Sequence, residues 1–207
     1  MNFIAFNTQF NPFILFSYRE IKKIFPDFYR TNLDDWQKKW YIRKIIRWRY
    51  YFTDQKLDER HLWMIANKIY EPSYISLHIA LQYYGLIPEG VFTMTSISTK
   101  KTNEFTTPVG NFIYKKIRKD LMFGYKIIKI NKLLYFKIAE IEKAILDFFY
   151  LNPHIYTEND FYELRIDCYE LVKQRDEKKL ERYLKTFNKK KLAETIHNFI
   201  SYVKKNA

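Results

Sequence analysis

Residues 71–116 read EPSYISLHIALQYYGLIPEGVFTMTSISTKKTNEFTTPVGNFIYKK, and this stretch concentrates the turns of the chain. Three of the four glycines of the protein and three of its six prolines lie in it. Glycine supplies the positive φ angles that tight turns need, and proline interrupts helices and strands. We therefore expect compact, geometrically demanding backbone here rather than a linker.

Hydrophobic periodicity predicts two helices, a run of strands and a further helix from residue 59 onward. In order, we expect a helix over residues 59–70, a helix over 77–84, a strand over 91–98, a hairpin over 104–117, strands over 125–130 and 133–137, and a helix over 141–151. Ser76 is expected to cap the second helix and Gly85 to end it, and residues 88–90 to turn the chain into the first strand. The predicted class is α+β, with a mixed domain built on an antiparallel-rich sheet.

The N-terminal residues predict a second, smaller unit. Ser17 and Glu20 form a capping box at the start of a helix that Pro26 ends. Thr31 or Asn32 is expected to cap the next helix, with its apolar side chains facing a core: Leu33, Trp36 and Trp40. Residues 41–52, YIRKIIRWRYYF, are strand-like and basic. Helix, turn, helix and basic hairpin is the order of a winged helix-turn-helix, which we predict for residues 1–58.

Basic residues cluster in this first unit, where residues 1–60 hold 12 basic against 7 acidic side chains. Such a cluster favours a polyanionic partner, because each phosphate contact releases counterions. We predict double-stranded DNA as that partner, contacted by Arg30, Thr31, Asn32, Lys38, Lys39, Arg43, Lys44, Arg47 and Arg49. Two features oppose this interpretation. Asp34 and Asp35 lie on the second helix of the pair, the reading helix, which enters the major groove in such modules. The hairpin tip also lacks a glycine. The alternative is a basic edge that keeps the protein soluble.

A second basic patch lies in the middle of the chain. It contains Lys100, Lys101, Lys115, Lys116, Arg118 and Lys119. The first two lie in a loop and the next two end a hairpin strand, so they are adjacent if the hairpin folds back. The patch either extends the DNA footprint or meets an anionic partner; the alternative is an exposed, lysine-rich hairpin without a partner.

No catalytic constellation stands out in the sequence. The four histidines are far apart, and Cys168 lacks a neighbour at metal-ligand spacing, so we expect a packed thiol, no metal and no cofactor. Glu140, Glu142 and Asp147 allow the alternative of a metal-dependent nuclease. Their helical spacing with Lys143 instead favours a solvated face with salt bridges or a structural contact. We therefore expect a protein that is not an enzyme.

The remaining composition sets broad limits. A single cysteine excludes an internal disulfide and favours a reducing compartment. No run approaches the roughly 18 apolar residues of a membrane span, and residues 1–16 lack the features of a signal peptide. We expect a cytoplasmic protein with no membrane partner. Residues 157–207 predict two or three helices, the first with a capping box formed by Thr157 and Asp160.

Four long segments follow one another in a distinctive order: PSYISLHIALQYYGLIPEG at residues 72–90, the Thr/Ser-rich strand 91–98, the tract 101–117 with TPVGNFIY, and EIEKAILDFFYL at 140–151. Together they resemble the C-terminal domain of AbiEi-type antitoxins, the antitoxin half of the AbiE abortive-infection toxin–antitoxin systems. The resemblance covers residues 60–151. It divides the chain into a DNA-binding domain at 1–58 and an antitoxin-like domain at 59–207, with a core at 59–151 and a helical tail at 152–207.

The resemblance implies a DNA-binding autorepressor of its own toxin–antitoxin operon. The toxin of this family is a nucleotidyltransferase-like protein encoded alongside, and the antitoxin counteracts it, with or without direct contact. The resemblance thus implies two partners, the operator DNA and the toxin. The alternative within the same reading is a protein that binds the toxin directly and does not bind an operator.

Overall fold

The structure is a computed structural model that describes residues 2–88 and 93–207. The predicted α+β class is confirmed, with an N-terminal helix–strand–helix region and a larger region built on a mixed sheet. Residues 89–90 of the predicted turn and 91–92 of the predicted strand lie outside the described residues.

The N-terminal region consists of short helices and a three-stranded antiparallel sheet. Its elements are α1 (Phe3–Phe10), β1 (Leu15–Ser17), α2 (Tyr18–Ile24), α3 (Thr31–Lys38), β2 (Ile42–Ile46) and β3 (Arg49–Phe52). The strand order is β1–β3–β2. The predicted capping box at the start of α2 is confirmed, because Ser17 and Glu20 each accept a hydrogen bond from the other's backbone N–H.

Aromatic rings form the core of this region. The Phe6 ring centroid lies 4.6 Å from that of Trp36, 4.9 Å from Phe10 and 5.6 Å from Phe52. Aromatic pairs at these separations contribute about 0.5–1.5 kcal/mol each beyond their buried area. The contacts explain why residues 3–16, which carry no clear sequence pattern, belong to the fold: α1 supplies the rings at its centre.

Two predictions for α3 are wrong. Trp40 does not face the core: 64% of its surface is exposed, because the helix ends at Lys38 and Trp40 adopts a positive φ of 60°. Neither Thr31 nor Asn32 caps the helix. Arg30 occupies the N-cap position and makes no side-chain capping bond there. Helical periodicity cannot extend beyond the residue where the backbone turns.

The larger region has a six-stranded mixed sheet in the order β6–β7–β5–β4–β9–β8. Its elements are α4 (Glu59–Ile69), β4 (Ser73–Ile75), α5 (Leu77–Tyr83), β5 (Thr93–Ser98), β6 (Asn103–Thr107), β7 (Gly110–Lys116), β8 (Tyr125–Lys129), β9 (Tyr135–Ala139) and α6 (Ile141–Leu151). Strand β4, which the sequence pattern did not predict, lies in the middle of the sheet. It runs parallel to β9 and antiparallel to β5.

Helices cover both faces of this sheet. On one face, Trp63 of α4 packs edge-on against Phe136, with ring centroids 5.2 Å apart, and the Tyr114 hydroxyl donates to the Ala66 carbonyl. Successive strand residues point to opposite faces. Tyr74 and Ser76 therefore point together to the other face, where both donate to Asp147 of α6.

The predicted helical tail contains four helices in the described residues, not two or three. They are α7 (Glu158–Glu163), α8 (Cys168–Gln174), α9 (Glu177–Phe187) and α10 (Lys190–Lys205). The break between α7 and α8 falls at Arg165, which has a positive φ of 51°. The capping box of Thr157 and Asp160 is confirmed. Within residues 2–88 and 93–207, no helix combines the length and apolar character needed to cross a bilayer.

Polar contacts fix α9 to the start of α6. The Tyr183 hydroxyl and the Lys179 ammonium both donate to the Glu140 carboxylate, and the backbone N–H of Asp176 donates to the Glu142 carboxylate at 2.7 Å. Partial burial works to raise the pKa of Glu140, but the hydrogen bonds from Tyr183 and Lys179 outweigh it and hold that pKa below its usual value.

We expect the Glu140→Gln variant to lose less stability in acid than the wild type does. A carboxyl whose pKa is depressed by folding stabilises the protein above its unfolded pKa, about 4.3, and this contribution disappears as the pH falls through the folded pKa. The free energy of unfolding should therefore fall less between about pH 5 and pH 3 in the variant than in the wild type. Urea denaturation at both pH values measures the two falls. Equal falls in the two proteins would contradict the prediction.

The two regions share a hydrophobic contact through the small sheet. Tyr50 and Phe52 of β3 face the aromatic core of the N-terminal region, whereas Tyr51 between them faces the opposite way, as strand alternation requires. With Leu15 and Ile45, Tyr51 belongs to the hydrophobic cluster of the larger region. The central strand β3 is therefore buried on both faces.

Candidate nucleic-acid interface

The hairpin of β2 and β3 turns tightly at Arg47 and Trp48. Trp48 adopts the left-handed backbone conformation, with a φ of 70°, which a glycine would normally supply. The Arg30 guanidinium carbon lies 4.4 Å from the centroid of its indole ring, and that of Arg47 lies 5.2 Å away. Cation–π attraction of this kind contributes about 0.5–1 kcal/mol at exposed sites. The glycine-free tip is thus a tight turn with an exposed tryptophan between two arginines.

Three exposed basic side chains project from β2 and the hairpin tip: Arg43, Lys44 and Arg47. Among the residues that the structure describes, none of the three forms an ion pair with a carboxylate. The Arg43 guanidinium carbon lies 4.6 Å from the centroid of the Trp40 ring, which orients that side chain without neutralising it. These cations are free to meet an anionic partner.

The predicted reading helix α3 has mixed charge. Arg30 and Thr31 at its start are exposed, and Asn32 is half-buried. Lys38 and Lys39 are exposed at its end, where the Lys38 ammonium lies 4.0 Å from the Asp35 carboxylate. Asp34 is exposed as well. The helix therefore presents its cations at its two ends, separated by carboxylates.

Arg49 differs from the other basic residues of the hairpin. Its guanidinium lies 3.3 Å from the Glu20 carboxylate, and 24% of its side-chain surface is exposed. Glu20 also completes the capping box of α2. Arg49 therefore ties β3 to α2, and its charge is already partly neutralised.

The second basic patch gathers at one end of the larger sheet. Strands β5 and β7 run parallel, with Ser98 beside Lys116, so Lys115 and Lys116 end where the loop with Lys100 and Lys101 begins. The backbone N–H of Lys116 donates to the Thr102 hydroxyl at 3.2 Å. Arg118 and Lys119 follow along the chain. Arg118 is paired with Asp120 at 2.8 Å, so the free cations of the patch are its lysines.

An open cleft joins the two basic groups. It has a volume of about 620 Å³ and lies between the β2–β3 hairpin and the larger region. Arg47 and Arg49 line one side, and Lys68 and Lys100 line the other. Arg19 of α2 lines it as well. The fold thus brings together basic residues that are far apart in the sequence, whereas Lys115 and Arg118 do not line this cleft.

A buried polar network lies inside the larger region. Lys143 and Asp147 of α6 form an ion pair in which both side chains are fully buried. Asp147 also accepts hydrogen bonds from Tyr74 at 2.8 Å and Ser76 at 2.9 Å, and Lys143 donates to the Tyr74 hydroxyl at 2.8 Å. Ser76 occupies the predicted N-cap position of α5, but its hydroxyl makes no capping bond there and donates to Asp147 instead.

Burial governs the ionisation of this network. It raises the pKa of the Asp147 carboxyl and lowers that of the Lys143 amine, and the attraction between the two opposes both shifts. Burial and the Asp147 charge raise the pKa of the Tyr74 hydroxyl well above its usual range. Each charged group is matched by partners, which is the condition for tolerating charge inside a protein.

Of the two interpretations offered for this part of α6, the solvated face is wrong and the structural contact is confirmed. Glu142 and Asp147 are buried, and all three carboxylates of the nuclease alternative accept hydrogen bonds from side chains or backbone. Two of the three are thus shielded from solvent, so they do not form an exposed catalytic group. Within the described ranges, no group of three or more His, Cys, Asp or Glu residues could hold a metal ion.

The sequence pattern missed four residues at the basic surface: Arg19, Lys68, Trp40 and Trp48. Arg19 and Lys68 carried no signal, because each is a single cation whose neighbours in the cleft come from distant segments. For Trp48 the sequence did contain a signal, because this aromatic residue lies between Arg47 and Arg49 at a predicted hairpin tip.

Comparison of the chain with models of known protein families and with curated proteins gave no match.

Proposed function

We propose that the protein binds double-stranded DNA and represses its own toxin–antitoxin operon, while counteracting a nucleotidyltransferase-like toxin encoded beside it. The observation that carries the DNA-binding part is the set of free, exposed cations on the hairpin: Arg43, Lys44 and Arg47. Neutralisation of phosphates by such side chains supplies nearly all of the non-specific affinity of proteins for DNA and a large share of the specific affinity. The antitoxin part rests on the resemblance of residues 60–151.

The order of elements in the N-terminal region supports a winged helix-turn-helix within residues 1–58. Helix, strand, two helices and a hairpin follow one another, and the hairpin places its basic tip beside the start of α3 through the Arg30–Trp48 contact. In such modules the second helix of the pair enters the major groove and contacts bases near its N-terminus. Thr31 and Asn32 would then read bases, and the hairpin would follow the phosphate backbone.

The acidic residues of α3 limit how that helix can lie. Asp34 and Asp35 are exposed and would repel phosphates. A carboxylate in the major groove is favourable only where it accepts a hydrogen bond from a cytosine amine. We therefore propose that the first turn of α3 enters the groove with these carboxylates towards the bases, and that the phosphate contacts come from Arg30 and the hairpin.

A reporter gene under the operon's own promoter tests the proposal in cells. We expect the wild-type chain, supplied in trans, to repress the reporter several-fold. Repression should be lost when Arg43, Lys44 and Arg47 are all changed to Ala. A control variant with Lys178, Lys185 and Lys189 changed to Ala removes the same charge from the exposed tail and should still repress.

Two results would contradict the proposal. Equal repression by the wild type and the hairpin variant would remove the hairpin from the mechanism. Absence of repression by the wild type, together with a stable complex between the chain and the neighbouring toxin, would instead favour a protein that neutralises its toxin by direct contact and binds no operator. The free lysines Lys100, Lys101, Lys115 and Lys116 would then be the first candidates for the docking surface.

A further inference from the structure

The cleft between the hairpin and the larger region has the dimensions of a small-molecule site. Its volume of about 620 Å³ lies inside the range of about 300–1,000 Å³ that such sites usually have. Its walls come from distant parts of the chain, because residues 46–49 form one wall and Lys68, Glu71 and Lys100 form the other. A ligand in it would contact both regions of the protein.

The charge of the cleft is strongly positive. Five basic residues and one acidic residue, Glu71, line it. Arg49 is already paired with Glu20, and the Lys68 ammonium lies 3.9 Å from the Glu71 carboxylate. The other three, Arg19, Arg47 and Lys100, are exposed and have no ion pair among the described residues. Guanidinium and ammonium groups left free in this way are the usual ligands of phosphate oxygens.

The cleft also offers a surface for a planar ring. Trp48 lines it and is 42% exposed, and Ile46 and Ile69 add apolar surface beside it. The Arg30 and Arg47 guanidinium groups lie over this ring, so a base would take the place of Arg30, whose contact contributes about 0.5–1 kcal/mol. Nucleobases stack on aromatic side chains, and each such contact contributes about 1–3 kcal/mol. Free cations beside an exposed indole therefore match a ligand that carries both phosphates and a base.

We propose that this cleft binds a nucleoside di- or triphosphate. Arg19, Arg47 and Lys100 hold the phosphates, and the Trp48 side chain packs against the base. The site does not depend on the proposed DNA binding. Arg47 belongs to both surfaces, so if the proposed function holds as well, ligand and DNA compete for this residue.

Isothermal titration calorimetry with the full chain tests the site, using ATP, inorganic tripolyphosphate, adenosine and a single-stranded thymidine oligonucleotide as probes. We expect ATP to bind more tightly than tripolyphosphate, and adenosine to bind most weakly. Loss of two charged hydrogen bonds in the double variant Arg19→Ala/Lys100→Ala should weaken ATP binding by about tenfold or more. The control Lys178→Ala/Lys185→Ala should bind ATP as the wild type does.

A second variant separates the ring from the phosphates. Asn tolerates the left-handed backbone of position 48, so Trp48→Asn keeps the turn while removing the ring. It should lower the affinity for ATP to that for tripolyphosphate, and it should weaken tripolyphosphate binding much less than Arg19→Ala/Lys100→Ala does, because Trp48 contributes to that binding only through its contact with Arg47. Thermal melting of each variant verifies that it is folded.

Three outcomes would overturn the proposal. The first is no measurable binding of ATP or tripolyphosphate by the folded wild type. The second is equal weakening in the cleft variant and in the tail control, which would indicate diffuse attraction between opposite charges. The third is an oligonucleotide that binds in the cleft far more tightly than ATP, which would make the cleft a path for a nucleic-acid strand.

Discussion

Changing Asp147 to Ala is expected to lower the free energy of unfolding by about 3–5 kcal/mol, because the Lys143 ammonium would be left buried without its counter-charge. Tyr74 and Ser76 would lose their acceptor in the same change. Domains of this size are stabilised by only about 5–15 kcal/mol in total, so the loss is a large fraction of the whole. Urea denaturation at pH 7, followed by circular dichroism, measures it.

An exposed ion pair of the same spacing provides the matched control. Lys190 and Glu194 lie four residues apart in α10, with 4.0 Å between their charged groups and most of both side chains in solvent. Glu194→Ala should change the free energy of unfolding by less than about 0.5 kcal/mol, as exposed helical pairs do. A loss below about 1 kcal/mol in Asp147→Ala would contradict the burial of the pair.

The double variant Lys143→Met/Asp147→Leu separates two contributions to the free energy of unfolding: the penalty for an unpaired buried charge, and the net stabilisation that the ion pair provides. When both members of a buried ion pair are replaced by apolar residues of similar size, stability is often unchanged or raised by about 1–4 kcal/mol. We therefore expect the double variant to recover most of what Asp147→Ala loses. If it is as unstable as the single variant, the polar network itself stabilises the fold, through its bonds to Tyr74 and Ser76.

The elements that the sequence predicted well are those specified by local chemistry. The two capping boxes need only a hydroxyl and a carboxylate three residues apart. The hairpin of β6 and β7 follows from alternating residues on either side of Pro108-Val109-Gly110, and the helix α6 has the bounds that its apolar periodicity predicts. In each case neighbours in sequence determine the conformation.

The elements that it missed depend on partners far along the chain. Strand β4 has only three residues, and its place in the sheet comes from pairing with β5 and β9. The burial of Lys143 and Asp147 could not be seen in α6 alone, because Tyr74, 73 residues before Asp147, completes the network. The sequence did hold a hint, since Tyr74 and Ser76 are spaced to share one face of a strand.

The candidate site divides in the same way. The cations of the hairpin were predictable, because they lie close together in the sequence. The cleft was not predictable, since it forms only where residues 46–49 meet Lys68 and Lys100. For Arg49 the sequence was misleading in the opposite direction. Its position in the basic run predicted a free cation, whereas it is paired with Glu20, 29 residues earlier in the chain.

The salt dependence of DNA binding tests the role of the hairpin in energetic terms. The logarithm of the binding constant falls linearly with the logarithm of the salt concentration, and each phosphate that a protein neutralises on duplex DNA adds about 0.9 to the magnitude of that slope. Replacing Arg43, Lys44 and Arg47 by Ala should therefore reduce the slope by about 3 and weaken binding at every salt concentration below 0.2 M. The tail variant with Lys178, Lys185 and Lys189 changed to Ala removes equal charge and should keep the wild-type slope.

Fluorescence anisotropy of a labelled duplex from the region upstream of the operon, titrated with the three proteins over a salt series, makes this measurement. We expect a slope lowered by about 3 in the hairpin variant alone. Equal slopes for the hairpin variant and the wild type, or equal reductions in the hairpin and tail variants, would contradict it.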